Sequence, residues 1–244
     1  MDKVLGVLGG MGPLASAQFM VRLTLLTPAT RDQDHLPAIL WSDPRVPDRS
    51  QARLADGEEP LPALLRGLRG LEAAGVGAIA IPCNSAHLWF DAMQAATPLP
   101  ILHIVDAAEA ELLRLGITPG PIGLMGTAAT LALRLYQTRL ERHGWICVTP
   151  TEAEMTSCVT PGIARVKTND VLGAYMPLAE VAHSLHARGA QAVVLGCTEI
   201  PLGIAAGAAL PFPVCDTIDG LARAALVWAG AVKNGLAQSI RPQQ

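Results

Sequence analysis

The feature that most constrains this chain is that its second half repeats its first. Val7-Leu8-Gly9-Gly10-Met11-Gly12 has a partner in Gly123-Leu124-Met125-Gly126-Thr127, and Ala78-Ile79-Ala80-Ile81-Pro82-Cys83-Asn84 in Ala192-Val193-Val194-Leu195-Gly196-Cys197-Thr198. A third pair is Pro100-Ile101-Leu102-His103-Ile104-Val105-Asp106 with Pro213-Val214-Cys215-Asp216-Thr217-Ile218-Asp219. The spacing is kept: 74 residues run from Gly9 to Cys83 and 71 from Gly126 to Cys197, then 23 to Asp106 and 22 to Asp219. One apolar segment ending in Gly or Cys is a chance event. Three in one order at matched spacing mark a duplicated unit, against the alternative of a single open sheet with accidental echoes.

The unit is α/β. Short apolar runs at residues 4–9, 36–41, 78–82 and 101–104 read as strands, with helical patterns at 18–26, 61–74 and 106–115 between them. After Pro119-Gly120-Pro121, strands at 122–125, 146–149 and 192–195 alternate with helices at 131–142 and 176–188. This is the rhythm of parallel sheets flanked by helices. The expected fold is two similar α/β domains with parallel sheets flanked by helices, related by a pseudo-twofold axis.

Half of the 244 residues are hydrophobic, enough to fill a core in each domain, and only 16% are charged, against roughly 25% in an ordinary globular chain. A net charge of -3 gives no electrostatic reason for a nucleic-acid partner or an anionic membrane. The N-terminus lacks the pattern of an export signal. The apolar stretch from Ile200 to Cys215 is shorter than the roughly 20 residues of a bilayer span and holds three prolines. A cytoplasmic protein is expected. The cysteines at 83, 147, 158, 197 and 215 form no CxxC pair and no zinc pattern, so reduced thiols are expected.

Two of those thiols have chemistry to do. Ligands of open α/β sheets bind beyond the carboxyl ends of the strands, where the repeat places Cys83 and Cys197. Asn84 and Thr198 follow them and are suited to cap helices, whose N-termini would lower a thiol pKa from about 8.5. If the halves face each other, two sulfurs flank one molecule, as a carbon acid exchanging its proton between opposite faces requires. Cys147, Cys158 and Cys215 lack symmetric counterparts and read as core. The turn Gly9-Gly10-Met11-Gly12-Pro13 lacks the Lys-Ser/Thr ending of a phosphate loop and instead lets backbone at Met11 approach a small ligand. Thr127 and Thr130 offer hydroxyls at the equivalent turn.

Together with Pro47-Asp48-Arg49, Pro82-Cys83-Asn84-Ser85-Ala86-His87 and Leu195-Gly196-Cys197-Thr198-Glu199-Ile200-Pro201-Leu202, the glycine turn resembles the aspartate/glutamate racemase family from the first strand to at least Asp219. The resemblance implies an active site in the cleft between the two domains and racemisation there of an acidic amino acid without pyridoxal phosphate or any other cofactor. Cys83 and Cys197 would be acid and base, with Cys197 facing the L-enantiomer, in a homodimer. Ser85 stands where Thr is usual and keeps the hydroxyl. Cys83 is retained where some relatives have Thr, which implies two-way turnover. The resemblance also implies discontinuous domains, 1–105 plus 214–244 and 106–213, with a C-terminal helix from Leu221 to Lys233 packing back on the first.

An acidic substrate needs cationic partners in a chain poor in charge. Arg49 is the first candidate, against a surface arginine paired with Asp48. Lys167 is the second, with Arg165 as its competitor. Family resemblance places substrate-carboxylate contacts at both Arg49 and Lys167. Met11, Asn84, Ser85, Thr127, Thr198 and Glu199 complete the expected substrate contacts. Glu199 is suited to orient backbone or the substrate ammonium, or to a structural role. His87, four residues after Cys83, either reaches back to the thiol or is structural. His103, His143, His183 and His186 show no motif. No metal site is expected. Two other functions remain open on these residues: isomerisation or decarboxylation of a dicarboxylic acid by the same cysteines, and non-catalytic binding of a small molecule in the cleft.

Overall fold

The computed structural model describes residues 3–232. The first half contributes strands β1 (Leu5–Gly9), β2 (Ala38–Ser42), β3 (Ala78–Ala80) and β4 (Ile101–Leu102); the second contributes β5 (Pro121–Gly126), β6 (Ile146–Val148), β7 (Val193–Gly196) and β8 (Val214–Asp216). They form two parallel four-stranded sheets with orders β2-β1-β3-β4 and β6-β5-β7-β8. The second order repeats the first strand for strand, as the duplicated sequence predicts.

Side chains alternate across a strand, and in the central strands β1, β3, β5 and β7 both faces are buried. Leu5, Val7, Ala78 and Ala80 face one core together with Ile122, Leu124 and Val194 of the other half. Leu8, Ile79 and Ile81 face a second core, and Met125, Val193 and Leu195 a third. The shared middle core is filled by helices Pro13–Leu26, Ile104–Arg114 and Thr217–Ala229, through residues such as Phe19, Leu112 and Leu221. The halves are therefore joined through one continuous apolar layer, with helices Leu61–Ala73 and Val171–Ala187 outside.

The repeat extends to helix caps. His103 accepts a hydrogen bond from the Val105 N–H at 3.2 Å, and its counterpart Asp216 accepts from Ile218 at 2.7 Å. Each satisfies an orphan donor where a helix leaves the last strand of its sheet.

Two expectations change. Val214–Asp216, expected in the first domain, is the fourth strand of the second sheet, paired with β7 at Val193↔Val214 and Val194↔Cys215. The crossing into the first half comes only with helix Thr217–Ala229, which packs on helices Pro13–Leu26 and Ile104–Arg114. Arg22 fixes it there, binding Asp219 through two hydrogen bonds of 2.5 and 2.7 Å. Lys233 lies outside the described residues.

The helix expected over 131–142 is broken into Ala128–Ala132, Gln137–Leu140 and a single turn Glu141–His143. Arg134 adopts φ 54°, a left-handed conformation that ends a helix, and the chain then turns Tyr136 fully inward. Lys167 ends helix Thr160–Lys167, and the chain before it carries the capping box of Thr151 and Glu154. The apolar stretch after Ile200 is a short helix, Ile200–Ala205, and a loop. Among the described residues no helix is long and apolar enough to cross a membrane.

Candidate active site

Cys83 and Cys197 lie just beyond the carboxyl ends of β3 and β7, the equivalent central strands of the two sheets. Both are buried, at 3% and 5% exposure, and all five cysteines are free. The flanking residues clasp one another across the halves. Thr198 Oγ1 donates to the Pro82 carbonyl at 3.2 Å. Asn84 Nδ2 donates to Thr217 Oγ1 at 3.3 Å, and that hydroxyl donates to the Leu195 carbonyl at 2.9 Å. The residue after each cysteine is thus tied to the strand end that carries the other. Asn84 and Thr198 were expected to cap helices; neither side chain caps its own helix, since both are spent on this cross-linking.

The thiols have different neighbours. Cys83 Sγ lies 3.8 Å from Ser85 Oγ. Cys197 Sγ donates to Glu199 Oε2 at 3.0 Å. The other carboxylate oxygen, Oε1, accepts from the Gly12 N–H of the first half at 3.1 Å. A Cβ at position 12 would meet Glu199 Oε1 at 2.9 Å and displace that carboxylate. The expected lowering of thiol pKa fails at Cys197: burial pushes it well above the ordinary value, and the charge and hydrogen bond of Glu199 push the same way. Desolvation and a facing carboxylate outweigh the weak field of a six-residue helix.

His87 serves the backbone around Cys83 and does not reach its sulfur. Its Nε2 accepts from the Ile104 N–H at 3.2 Å, so Nδ1 carries the proton and donates to the Cys83 carbonyl at 2.9 Å. Burial lowers its pKa to about 4, and the ring is neutral at physiological pH.

The cations sit to one side. A cleft of about 630 Å³ opens between helix Arg49–Leu54 and the second half, lined by Asp48, Gln51, Thr127, Thr160, Ile163 and Lys167 among others. Lys167 Nζ is 3.8 Å from Asp48 Oδ2 across it, and its charge acts on the Cys197 thiol. Asp48 caps helix Arg49–Leu54 through the N–H groups of Ser50 and Gln51, which leaves Arg49 without the carboxylate partner of the surface reading. Arg49 is buried at 8% exposure; among the described residues it bonds only the carbonyls of Val46 and Pro47, and its Nε has no partner. Arg165 is drawn away by Asp170 at 2.7 Å. Thr127 Oγ1 caps helix Ala128–Ala132 and lies 3.0 Å from Thr130 Oγ1. Met11 is buried among the residues of the first half that surround Cys83. Among the described residues no group of three or more His, Cys, Asp or Glu is placed to hold a metal ion.

Tyr136 and Thr217 belong to this constellation and have no motif of their own. Tyr136 OH donates to Asn84 Oδ1 at 2.5 Å from a fully buried position. Thr217 sits where the first half has Ile104, so the repeat itself points away from a polar role there.

A family model described as Asp/Glu/Hydantoin racemase matches residues 8–225. The chain is 32% identical to the solved aspartate racemase of Picrophilus torridus, covering 93% of this chain and 94% of that one with a TM-score of 0.82. An aspartate racemase homologue from Pyrococcus horikoshii shares the fold at 24% identity, with a TM-score of 0.74 over 94% of this chain and all of that one. The broad specificity amino-acid racemase RacX of Bacillus subtilis is 27% identical over 81% of this chain and 86% of its own length.

Proposed function

The chain belongs to the Asp/Glu/Hydantoin racemase family, and from that membership we propose that it interconverts the enantiomers of an acidic amino acid, aspartate or glutamate, without pyridoxal phosphate, by proton transfer between Cys83 and Cys197. The observation that carries this reading is the reciprocal clasp: Thr198 on Pro82 and Asn84 on Thr217 hold two equivalent strand ends, each with a thiol, against each other. A single substrate between those ends meets one sulfur on each face of Cα. One thiolate removes the α-proton and the opposite thiol returns one, which inverts the centre.

The substrate carboxylates go to Arg49 and Lys167. Arg49 brings a desolvated guanidinium with an uncommitted N–H, and Lys167 brings a mobile charge on the cleft wall. Thr127 adds a hydroxyl on that wall, and Met11, Asn84, Ser85 and Thr198, buried around the two thiols, are the further contacts of this reading. The working assembly is a homodimer, for which the exposed Leu14, Val21 and Leu25 along one face of helix Pro13–Leu26 offer an apolar surface.

The test is incubation with each enantiomer of the proteinogenic amino acids in heavy water, with no added cofactor, followed by chiral separation. Aspartate or glutamate should racemise with solvent deuterium at Cα. Absence of Cα exchange in both would overturn the proposal.

A further inference from the structure

The duplication makes the two cysteines equivalent in position, and the residues two places after them make them unequal in charge. Ser85 follows Cys83 and Glu199 follows Cys197 at the same step of the repeat. Cys83 has a hydroxyl at 3.8 Å; Cys197 has a carboxylate at 3.0 Å. Both oxygens of that carboxylate are committed, Oε2 to the thiol and Oε1 to the Gly12 N–H. Glu199 is buried with one oxygen on the thiol, so it acts directly on Cys197.

We infer that Glu199 sets the resting protonation of the pair, holding Cys197 as the thiol that donates and leaving Cys83 as the base. This rests on the proposed use of both cysteines in proton transfer. A carboxylate accepts a hydrogen bond from S–H but repels S⁻, so ionising Cys197 both loses a hydrogen bond and places two negative charges in contact. The other charged group that acts on Cys197 is Lys167, whose positive charge opposes this bias; the Tyr136 phenol nearby is held neutral by burial. Lys167 is on the open cleft wall and partly exposed, where its charge is screened, whereas Glu199 is buried beside the sulfur.

Once Cys83 has given its own proton to water, its thiolate takes the α-proton, forming S–H as Cα–H breaks and its electron pair stays on the substrate. Cys197 then gives its proton to the opposite face of Cα and keeps the bond pair as thiolate. Exchange with water returns a proton to Cys197 and removes one from Cys83. The reverse reaction starts from the disfavoured form, with a thiolate beside Glu199. The Gly12 N–H, donated from the opposite half, ties the bias to the assembled site.

The experiment follows thiolate ultraviolet absorbance against pH. Cys197 is isolated as the difference between Cys83→Ser and Cys83→Ser/Cys197→Ser, each with and without Glu199→Gln; Cys83 is isolated the same way in the Cys197→Ser background. Gln keeps an oxygen for Gly12 and removes the charge. The Cys197 midpoint should fall by about one pH unit or more, a tenfold gain in thiolate, while Cys83 stays in place and Glu199→Asp retains the high value. An unmoved Cys197 midpoint in a protein that melts like wild type overturns the inference, as does an equal shift of both cysteines. If Glu199→Gln does not fold, Ser85→Glu provides the reciprocal test: it should raise the Cys83 midpoint, and no rise refutes the inference. Unequal thiols in a chain that racemises nothing would uphold this inference and sink the proposed reaction.

Discussion

The hydroxyl of Thr198 donates to the carbonyl of Pro82 at 3.2 Å, so the residue after one cysteine holds the residue before the other. Thr198→Val keeps the shape and strips the buried Pro82 carbonyl of this donor. The expected loss is about 1–3 kcal/mol in denaturant unfolding, with Thr198→Ser close to wild type. A Thr198→Val protein as stable as wild type would show that the clasp contributes nothing.

Cys83→Ser and Cys197→Ser should each lower racemisation by about 100-fold or more, since a hydroxyl is a far weaker acid and base than a thiol at neutral pH. Deuterium exchange from a single enantiomer should survive in each variant, because one sulfur still serves one face. Chiral chromatography and NMR of the α-position measure both. Near-wild-type turnover in either variant contradicts two-base transfer.

Removing Arg49 should affect acidic substrates selectively. Arg49→Ala is expected to reduce kcat/KM for aspartate or glutamate about 10–100-fold, the worth of one or two charge-assisted hydrogen bonds. Arg49→Lys should also be damaging, because an ammonium cannot reproduce the planar fork. Lys167→Ala should act in the same direction with less effect, its charge being half-exposed. Alanine turnover measured alongside serves as the control. Equal losses on alanine and on the acidic pair would place Arg49 in the scaffold and not in recognition.

Tyr136→Phe tests the hidden prop of the first cysteine loop. The phenol donates to Asn84 Oδ1 from a fully buried position, and its removal leaves an acceptor unsatisfied. A loss of about 1–3 kcal/mol is expected, together with slower racemisation as Asn84 loses its orientation. Calorimetry with a parallel activity assay decides it.

His87 makes the site acid-sensitive. Its folded pKa, about 4 through burial, lies below the unfolded value of about 6.5. The unfolded state therefore binds more protons between those values. The stability held by neutral His87 is complete above pH 6.5 and is lost as pH falls toward 4, by about 1.4 kcal/mol per unit at most. The same ring holds the Cys83 carbonyl, so that loop should loosen with it. An NMR titration showing the His87 ring ionising near pH 6.5 would contradict this account.

The sequence by itself determined the architecture and the place of the chemistry. Strands buried on both faces need continuous apolar runs, and a duplicated unit must reproduce its strand order, so two sheets with Cys83 and Cys197 at equivalent ends were legible from local text. Pro47-Asp48-Arg49 left Arg49 open between a cleft cation and a surface arginine, and its burial at 8% exposure came only with the fold. Tertiary structure alone decided how the equivalence is broken and how the halves are locked. Tyr136 reaches Asn84 across 52 residues, and Thr217 reaches it across 133; neither pairing leaves a periodic trace. The assignment of β8 to the second sheet depended on which neighbour completes its ladder, which its three residues do not encode. Glu199 was visible in its motif, but its work was not. A carboxylate acts on whatever lies within a few ångströms, and only folding placed a thiol on one of its oxygens and the Gly12 N–H on the other.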